Sequence, residues 1–211
     1  DFPDEGRSLT PRLLPLRAEA ERPIRFGDAQ GLAYARTWRW QVLQGAEARV
    51  ISPYDRRVQL GLQLGGQAHG LPSAAIDYTL TSELNRFELP DRPGSAEQPN
   101  GWRWHGVGSI GHAFRGSGVW VTPRLAVNAV SYALDQALGD GRRHASRVVP
   151  TFSVDAGLEL ERETQAFGRT LRQTLEPRLR YVRTPLRDQA GLPNFDSAGK
   201  DFNFNSIFSD N

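Results

Sequence analysis

Apolar and polar residues take turns along most of this chain, and that period of two constrains the fold more than any other feature. Leu14, Leu16, Ala18 and Ala20 share one parity, with Arg17, Glu19 and Glu21 on the other. Trp38, Trp40 and Val42 alternate with Thr37, Arg39 and Gln41, and Val58, Leu60, Leu62 and Leu64 with Gln59, Gly61, Gln63 and Gly65. Ile76, Tyr78, Leu80 and Leu84 alternate with Asp77, Thr79, Thr81, Glu83 and Asn85. Successive side chains of a strand point to opposite faces, so each run predicts a strand with one apolar and one polar side. The rhythm continues through Trp102, Trp104, Ile110 and Phe114 in a Gly-rich stretch, then Val119, Val121, Leu125, Val127 and Ala129. Phe152, Val154, Ala156, Leu158 and Leu160 oppose Thr151, Ser153, Asp155, Glu159 and Glu161. Leu171, Leu175, Leu179 and Tyr181 oppose Arg172, Thr174, Glu176, Arg178 and Arg180. This predicts about eight strands and no helix.

Two features favour a membrane barrel over a soluble sandwich. Several runs alternate for about ten residues, the length of a membrane-spanning strand, where soluble strands run about five or six. The connections also alternate. Gaps near 23–33, 66–73, 115–118 and 164–169 are short or contain Gly, while those near 45–57, 85–101, 133–146 and 184–211 are long and polar. Outer-membrane barrels pair short periplasmic turns with long extracellular loops. The expected fold is therefore all-β, an antiparallel transmembrane β-barrel represented by about eight strands of a larger outer-membrane barrel. The strand at 151–163 descends, and the one at 169–183 climbs back outward into a long extracellular loop at 184–211.

Composition does not contradict this. No apolar run approaches a transmembrane helix and no signal-peptide pattern opens the chain, but barrel strands never read as uniformly apolar. A mean hydropathy of −0.52 suits a barrel as well as a soluble domain. With no Met and a start at Asp1, the chain reads as a processed or truncated fragment. With no Cys it offers no disulfide, thiolate nucleophile or Cys-ligated metal. The net charge of +2 gives no basic footprint for a nucleic-acid partner, although all basic residues except Lys200 are Arg. A GC-rich genome accounts for that bias, and guanidinium forks also suit phosphate and carboxylate. Trp102, Trp104 and Tyr181 fall near predicted outer strand ends, where interfacial aromatics gather, whereas Trp38 and Trp40 fall mid-strand. Pro123, Pro150 and Pro177 interrupt predicted strands, which calls for bulges or for shifted boundaries.

Residues 147–162 read Arg-Val-Val-Pro-Thr-Phe-Ser-Val-Asp-Ala-Gly-Leu-Glu-Leu-Glu-Arg, followed by Gln173-Thr-Leu-Glu-Pro-Arg178, Tyr181-Val-Arg-Thr-Pro-Leu-Arg-Asp-Gln189, Leu192-Pro-Asn-Phe-Asp196 and Asp201-Phe-Asn-Phe204. This series resembles the central barrel region of the LptD family of lipopolysaccharide-assembly proteins, most specifically over 147–210. Ser52-Pro-Tyr-Asp-Arg56 is a weaker match, and the whole of 1–211 is assigned to one such barrel domain. The resemblance implies a Gram-negative outer-membrane location and a parent protein that inserts lipopolysaccharide into the outer leaflet. It also implies a plug lipoprotein, LptE, inside the barrel, a periplasmic transport bridge reached through a missing N-terminal domain, and surrounding outer-membrane lipids. The family's gate strands and cysteines are not found in this stretch.

No cofactor and no catalytic centre are expected. His69, His105, His112 and His144 have no metal-ligand spacing, and Gly31 and Gly106-Val-Gly108 lack the strand–helix context of a phosphate loop. Glu159, Glu161 and Glu163 share a parity and could pair as hydrolytic carboxylates, but polar lumen positions of a hydrated barrel explain them better. The lumen-facing candidates for partner or lipopolysaccharide contact are Glu159, Glu161, Arg172, Glu176, Arg178 and Arg180, with the arginines balancing the glutamates across the hairpin. In the terminal loop, Arg187, Asp188, Gln189, Asn194, Phe195 and Asp196 carry the family motif. Asp188, Asn194, Asp196 and Asp201 lack the regular spacing of a divalent-cation site. Phe195, Phe202, Phe204 and Phe208 are expected to pack this loop over or into the barrel mouth. A porin-like or autotransporter-type barrel and a soluble β-sandwich binding module are the alternatives.

Overall fold

The computed structural model describes residues 13–42, 53–71, 74–89, 99–166, 168–187, 191–193 and 195. The described residues form eleven strands and no helix. They are β1 (Leu13–Phe26), β2 (Ala29–Val42), β3 (Asp55–Leu71), β4 (Ala74–Glu88), β5 (Gly101–Gly111), β6 (Phe114–Gly116), β7 (Val119–Leu134), β8 (His144–Leu158), β9 (Leu160–Ala166), β10 (Arg169–Leu175) and β11 (Arg178–Arg183). Nine of them make one open antiparallel sheet in the order β1-β2-β3-β4-β5-β7-β8-β11, with β6 on β7, while β9 and β10 pair separately.

Three pairs of these strands are broken halves of longer ones, so the described residues make eight passes, as the alternation predicts. β8 with β9, and β10 with β11, keep one register throughout. Arg169 faces Ala166 at the tip, and Arg178 still faces Gly157 beyond the break. The break falls at Glu159 opposite Glu176-Pro177, where Pro177 has no N–H to donate. There the Leu158 N–H donates to the Pro177 carbonyl (3.0 Å) and the Glu159 N–H to the Gly118 carbonyl (2.8 Å).

Short and long connections alternate as expected. β1–β2 closes through Gly27-Asp28, with Gly27 at φ +57°, which replaces the wide 23–33 gap. Proline behaves differently from expectation at two sites. Pro123 faces Val154 and Pro150 faces Val127 with no register shift, so neither marks a bulge. Pro123 instead sits where the β5 ladder ends, after Gly111 opposite Arg124. Pro150 lies beyond the last β8–β11 pair, Phe152 with Arg183. Extra residues lie in β3, at Arg57, where the register shifts against both β2 and β4, and between His69 and Leu71, where it shifts against β4.

Residues facing one another across a ladder lie on one face of the sheet. One face carries Leu16, Leu60, Leu80, Leu84, Trp104, Leu125, Val127 and Phe152, all exposed. The other carries Tyr34, Gln59, Asn85, Phe87 and Ser153, all buried. The polar face is thus the covered one, the reverse of a water-soluble half-sandwich. Trp38 and Trp40 join the polar face. Arg17 opposite Trp38 and Glu19 opposite Arg36 put both indoles on the side of the β1 charges. Alternation alone had grouped them with Val42 as an apolar side.

Glycine admits rings at close range on the polar face. The Tyr34 ring lies where a Cβ on Gly61 would be, and a Cβ on Gly157 would stand 2.7 Å from the Trp120 indole. A large ring flattened over a glycine on the facing strand fills the space the glycine leaves.

Candidate functional site

The polar face carries an ionic lattice laid down by register. On β1 and β2, Arg36 contacts both Glu19 (3.4 Å) and Glu21, and Arg17 bonds Glu19. The Tyr34 hydroxyl donates to Glu83, which also receives the Gln59 amide at 3.4 Å. Farther across, His105 Nε2 and Asn128 Oδ1 are 3.2 Å apart. At the far edge Arg178 grips Asp155, Nε to Oδ1 at 2.9 Å, with its guanidinium 5.7 Å from the Trp120 ring centre. Arginines outnumber carboxylates here. Arg17, Arg25, Arg36, Arg56, Arg103, Arg115, Arg124, Arg147, Arg178 and Arg180 share the face with Glu19, Glu21, Asp77, Glu83 and Asp155.

Near the long connections, guanidinium and ring alternate across the strands. Arg17 lies 5.0 Å from the Trp38 ring centre, and Arg56 lies 5.6 Å from both Trp38 and Phe87. Arg103 lies 4.7 Å from Phe87. Each such contact is worth about 0.5–2 kcal/mol, the more so where water is excluded.

This row ends in the only apolar core cluster of the described residues: Tyr54, Phe87, Val130, Tyr132, Leu134, Ala145 and Phe195. Phe195 stacks on Phe87 with centroids 4.6 Å apart and planes 6° apart, and meets Tyr54 edge-on at 5.0 Å. Phe195, which follows β11 at the sheet edge, thus packs against β4. Phe202, Phe204 and Phe208 lie outside the described residues. Burial raises the Tyr54 hydroxyl pKa, and that hydroxyl donates to the Pro99 carbonyl at 3.0 Å. Beside the cluster, Arg86 forks onto Asp135 at 2.9 and 2.6 Å. That hydrogen-bonded guanidinium holds the Asp135 carboxyl below the usual carboxylate range.

The predicted site residues are spread over two regions. Arg172 pairs with Glu161 on the separate β9–β10 hairpin, although its register partner is Glu163. Arg178 takes Asp155, and Arg180 faces Asp155 in the ladder, so these two arginines do not balance the glutamates as expected. Glu159 and Glu176 are exposed in the break, and Arg187 is exposed after β11. Asp188, Gln189, Asn194 and Asp196 lie outside the described residues. Sequence reasoning missed the Arg36–Glu19–Glu21 triad and the Asp155 grip. Counting back from the 167–168 turn at one residue per strand pairs Asp155 with Arg180, and so does not reveal that Arg178 holds it. No group of three or more His, Asp or Glu fit to hold a metal occurs among the described residues.

The family model described as LptD, LPS transport system D, matches residues 27–211. The LPS-assembly protein LptD of Polaromonas sp. is 39% identical over 100% of this chain and 25% of its own length. That of Albidiferax ferrireducens is 40% identical over 97% of this chain and 24% of its own, and that of Ralstonia nicotianae 33% over 100% and 26%. The chain spans about a quarter of the length of these relatives. The likeness extends well upstream of the 147–210 motifs, and neither the porin-like nor the sandwich alternative is supported. A two-faced antiparallel sheet with its arginine-rich face covered and its leucine face bare, matched along nearly its whole length, belongs to the LptD family.

Proposed function

We propose that residues 1–211 are one stretch of wall in an outer-membrane β-barrel that moves lipopolysaccharide to the cell surface, without catalysing a reaction. The inverted burial carries this reading: Leu125 is 54% exposed and Leu80 41%, while Asn85 and Phe87 are 0% exposed. Lipid covers such a leucine face, and strands that cross it must have their backbone groups paired by neighbouring strands. The Asn85 carboxamide and Gln59 Oε1 are buried without a hydrogen-bond partner among the described residues, as is Arg147 Nε. Such a density of buried polar groups suits a wall that borders a polar lumen and not a dry core.

On this reading the lumen holds the LptE-like lipoprotein and admits the sugar–phosphate part of lipopolysaccharide. Arg178 and Arg180 face that space, with Glu159, Glu161, Arg172 and Glu176 toward the periplasmic end. Arg187 to Asp196 form part of the extracellular loop. Periplasmic delivery lies with segments of the relatives outside this quarter.

A photo-crosslinking residue at Arg180, on the polar face of β11, is compared with one at its neighbour Leu179 in the full-length protein in cells. Adducts with lipopolysaccharide or the lipoprotein are expected at 180 and absent at 179. Equal adducts at both, or none with either molecule at 180, would sink the proposal.

A further inference from the structure

The apolar stripe of β1 is interrupted by a charge. Arg22 pairs with Ala33 of β2, which pairs with Leu62 of β3, so it stands on the apolar face and not with Arg17, Glu19 and Glu21 of the same strand. It is exposed, between Ala20 and Ile24 along its own side of β1. Arg39 and Arg86 share this face, since they pair with Leu16 and Trp102. Both stand beside long connections and have acids at hand. The Asp55 carboxylate is 3.8 Å from Arg39, and the Asp135 carboxylate 2.6 Å from Arg86. Arg22 pairs with no carboxylate among the described residues, and Ala20, Ile24, Ala33 and Leu62 around it offer none.

Strand length fixes its depth. On β1 the stripe runs from Leu14, 44% exposed, to Phe26, 66% exposed at the short Gly27-Asp28 turn. At a tilt near 40° those ends are about 30 Å apart in height, the thickness of a hydrocarbon core. Arg22 lies about 10 Å above the Phe26 level and about 20 Å below the Leu14 level, in the half of the layer next to the short turns. A guanidinium there stays charged, and hydrocarbon offers it no acceptor. Its long stem lets it extend toward the nearer boundary, which the exposed Phe26 ring marks and where the acceptors are lipid phosphates.

We propose that Arg22 holds the phosphate of one periplasmic-leaflet phospholipid against the outer face of β1–β2, with an acyl chain over Ala33 and Leu62. The proposal rests on the barrel-wall reading. A guanidinium–phosphate pair is charge-assisted and can be bidentate, so this lipid exchanges more slowly than those around it.

The test uses the full-length protein with its natural partners, exchanged into lipid-free detergent and then offered phosphatidylethanolamine and lipopolysaccharide together. Bound lipid is counted by native mass spectrometry. One tightly held phospholipid per complex is expected. Arg22→Gln should weaken its retention roughly tenfold, the usual effect of losing a charge-assisted hydrogen bond. Arg22→Lys should keep most of it, because an ammonium still meets phosphate as a point charge, and it decides the matter if Arg22→Gln fails to fold. Arg25→Gln, on the polar face of the same strand, should leave it unchanged. No retained phospholipid in the wild type would overturn the proposal, and so would a loss confined to bound lipopolysaccharide. Equal retention in Arg22→Gln would overturn it too, since the counter-ion would then come from the neighbouring strand of the longer protein. Heat-modifiable mobility of the wild type in the same preparation reports the barrel separately, so the lipid seat can fail while the wall stands.

Discussion

The long hairpin built from β8–β9 and β10–β11 passes through two different surroundings without changing register. Between His144 and Leu158, β8 lies against β7 on one side and, along part of its length, β11 on the other, and Ala145 and Ser153 are buried. Past Glu159 the two strands run on alone, and every residue of β10 is exposed. Composition does not explain this. On the polar face itself, the Arg172 side chain is 69% exposed on the hairpin while the Asp155 side chain farther up is 22% exposed. What changes is the number of neighbours. An isolated two-stranded hairpin is marginal in water, whereas strands with ladders on both sides and a covered face are held. On the polar face, burial follows the number of neighbouring strands more than residue type.

Truncation should expose that contrast most sharply. Phe87→Ala empties the centre of the aromatic cluster, and removing a fully buried Phe costs about 3–5 kcal/mol. Leu171→Ala on the hairpin should cost under about 0.5 kcal/mol, as exposed substitutions do. Both are read as shifts in the denaturant midpoint of the full-length protein in micelles. Similar costs at the two sites would mean that the hairpin is packed in the assembled protein.

A second, smaller contrast compares the two faces of β7. Leu125→Arg places a charge in the middle of the apolar face, at about 2–4 kcal/mol if that face meets the bilayer midplane. Thr122→Arg, on the face with Asp155 and Arg124, should be close to neutral. Equal tolerance in lipid vesicles would remove the membrane reading of the leucine face.

Gly118 and Gly168 sharpen the comparison at the turns. Both have positive φ, +73° and +70°, and either Gly→Ala change costs about 1–2 kcal/mol of backbone strain. At Gly118 a Cβ would also stand 2.8 Å from the Glu159 carbonyl oxygen, while at Gly168 nothing lies within 4 Å. Gly118→Ala should therefore destabilise more than Gly168→Ala, by the amount that docking the β6–β7 turn on Glu159 contributes. Equal losses would show that the contact carries nothing.

How much of this was legible beforehand follows from the kind of signal each feature leaves. Eight strand passes and their alternating connections could be read, because period two and turn residues are local signals. The side taken by Trp38 and Trp40 could not. Parity groups residues but does not say which group faces the lumen, and only pairing with Arg17 and Arg56 decides it. Asp155 as the partner of Arg178 was hidden because a long guanidinium reaches diagonally, past its register partner Gly157. The break in the hairpin was flagged by Pro177. The one between β5 and β6 was not, since the cause sits on another strand, where Pro123 leaves His112 without a ladder donor opposite.

The gentlest probe is pH, and it acts at the packed end. Arg86 holds the Asp135 carboxyl below its ordinary range, chiefly by hydrogen bonding, against the opposing effect of desolvation. A carboxylate whose folded pKa is depressed adds stability above its unfolded value of about 4 and loses it as pH falls through the folded value. Stability should therefore decline on acidification below about pH 4, and Asp135→Asn should flatten that limb while leaving the neutral-pH slope alone. Asp135 is 39% exposed in its side chain, so solvent screens the pair and the effect is small, shrinking further in high salt. If the wild type and Asp135→Asn share one acid limb at low salt, the Arg86 fork does not tie the 135–143 connection to the sheet, and the aromatic cluster alone holds that end together.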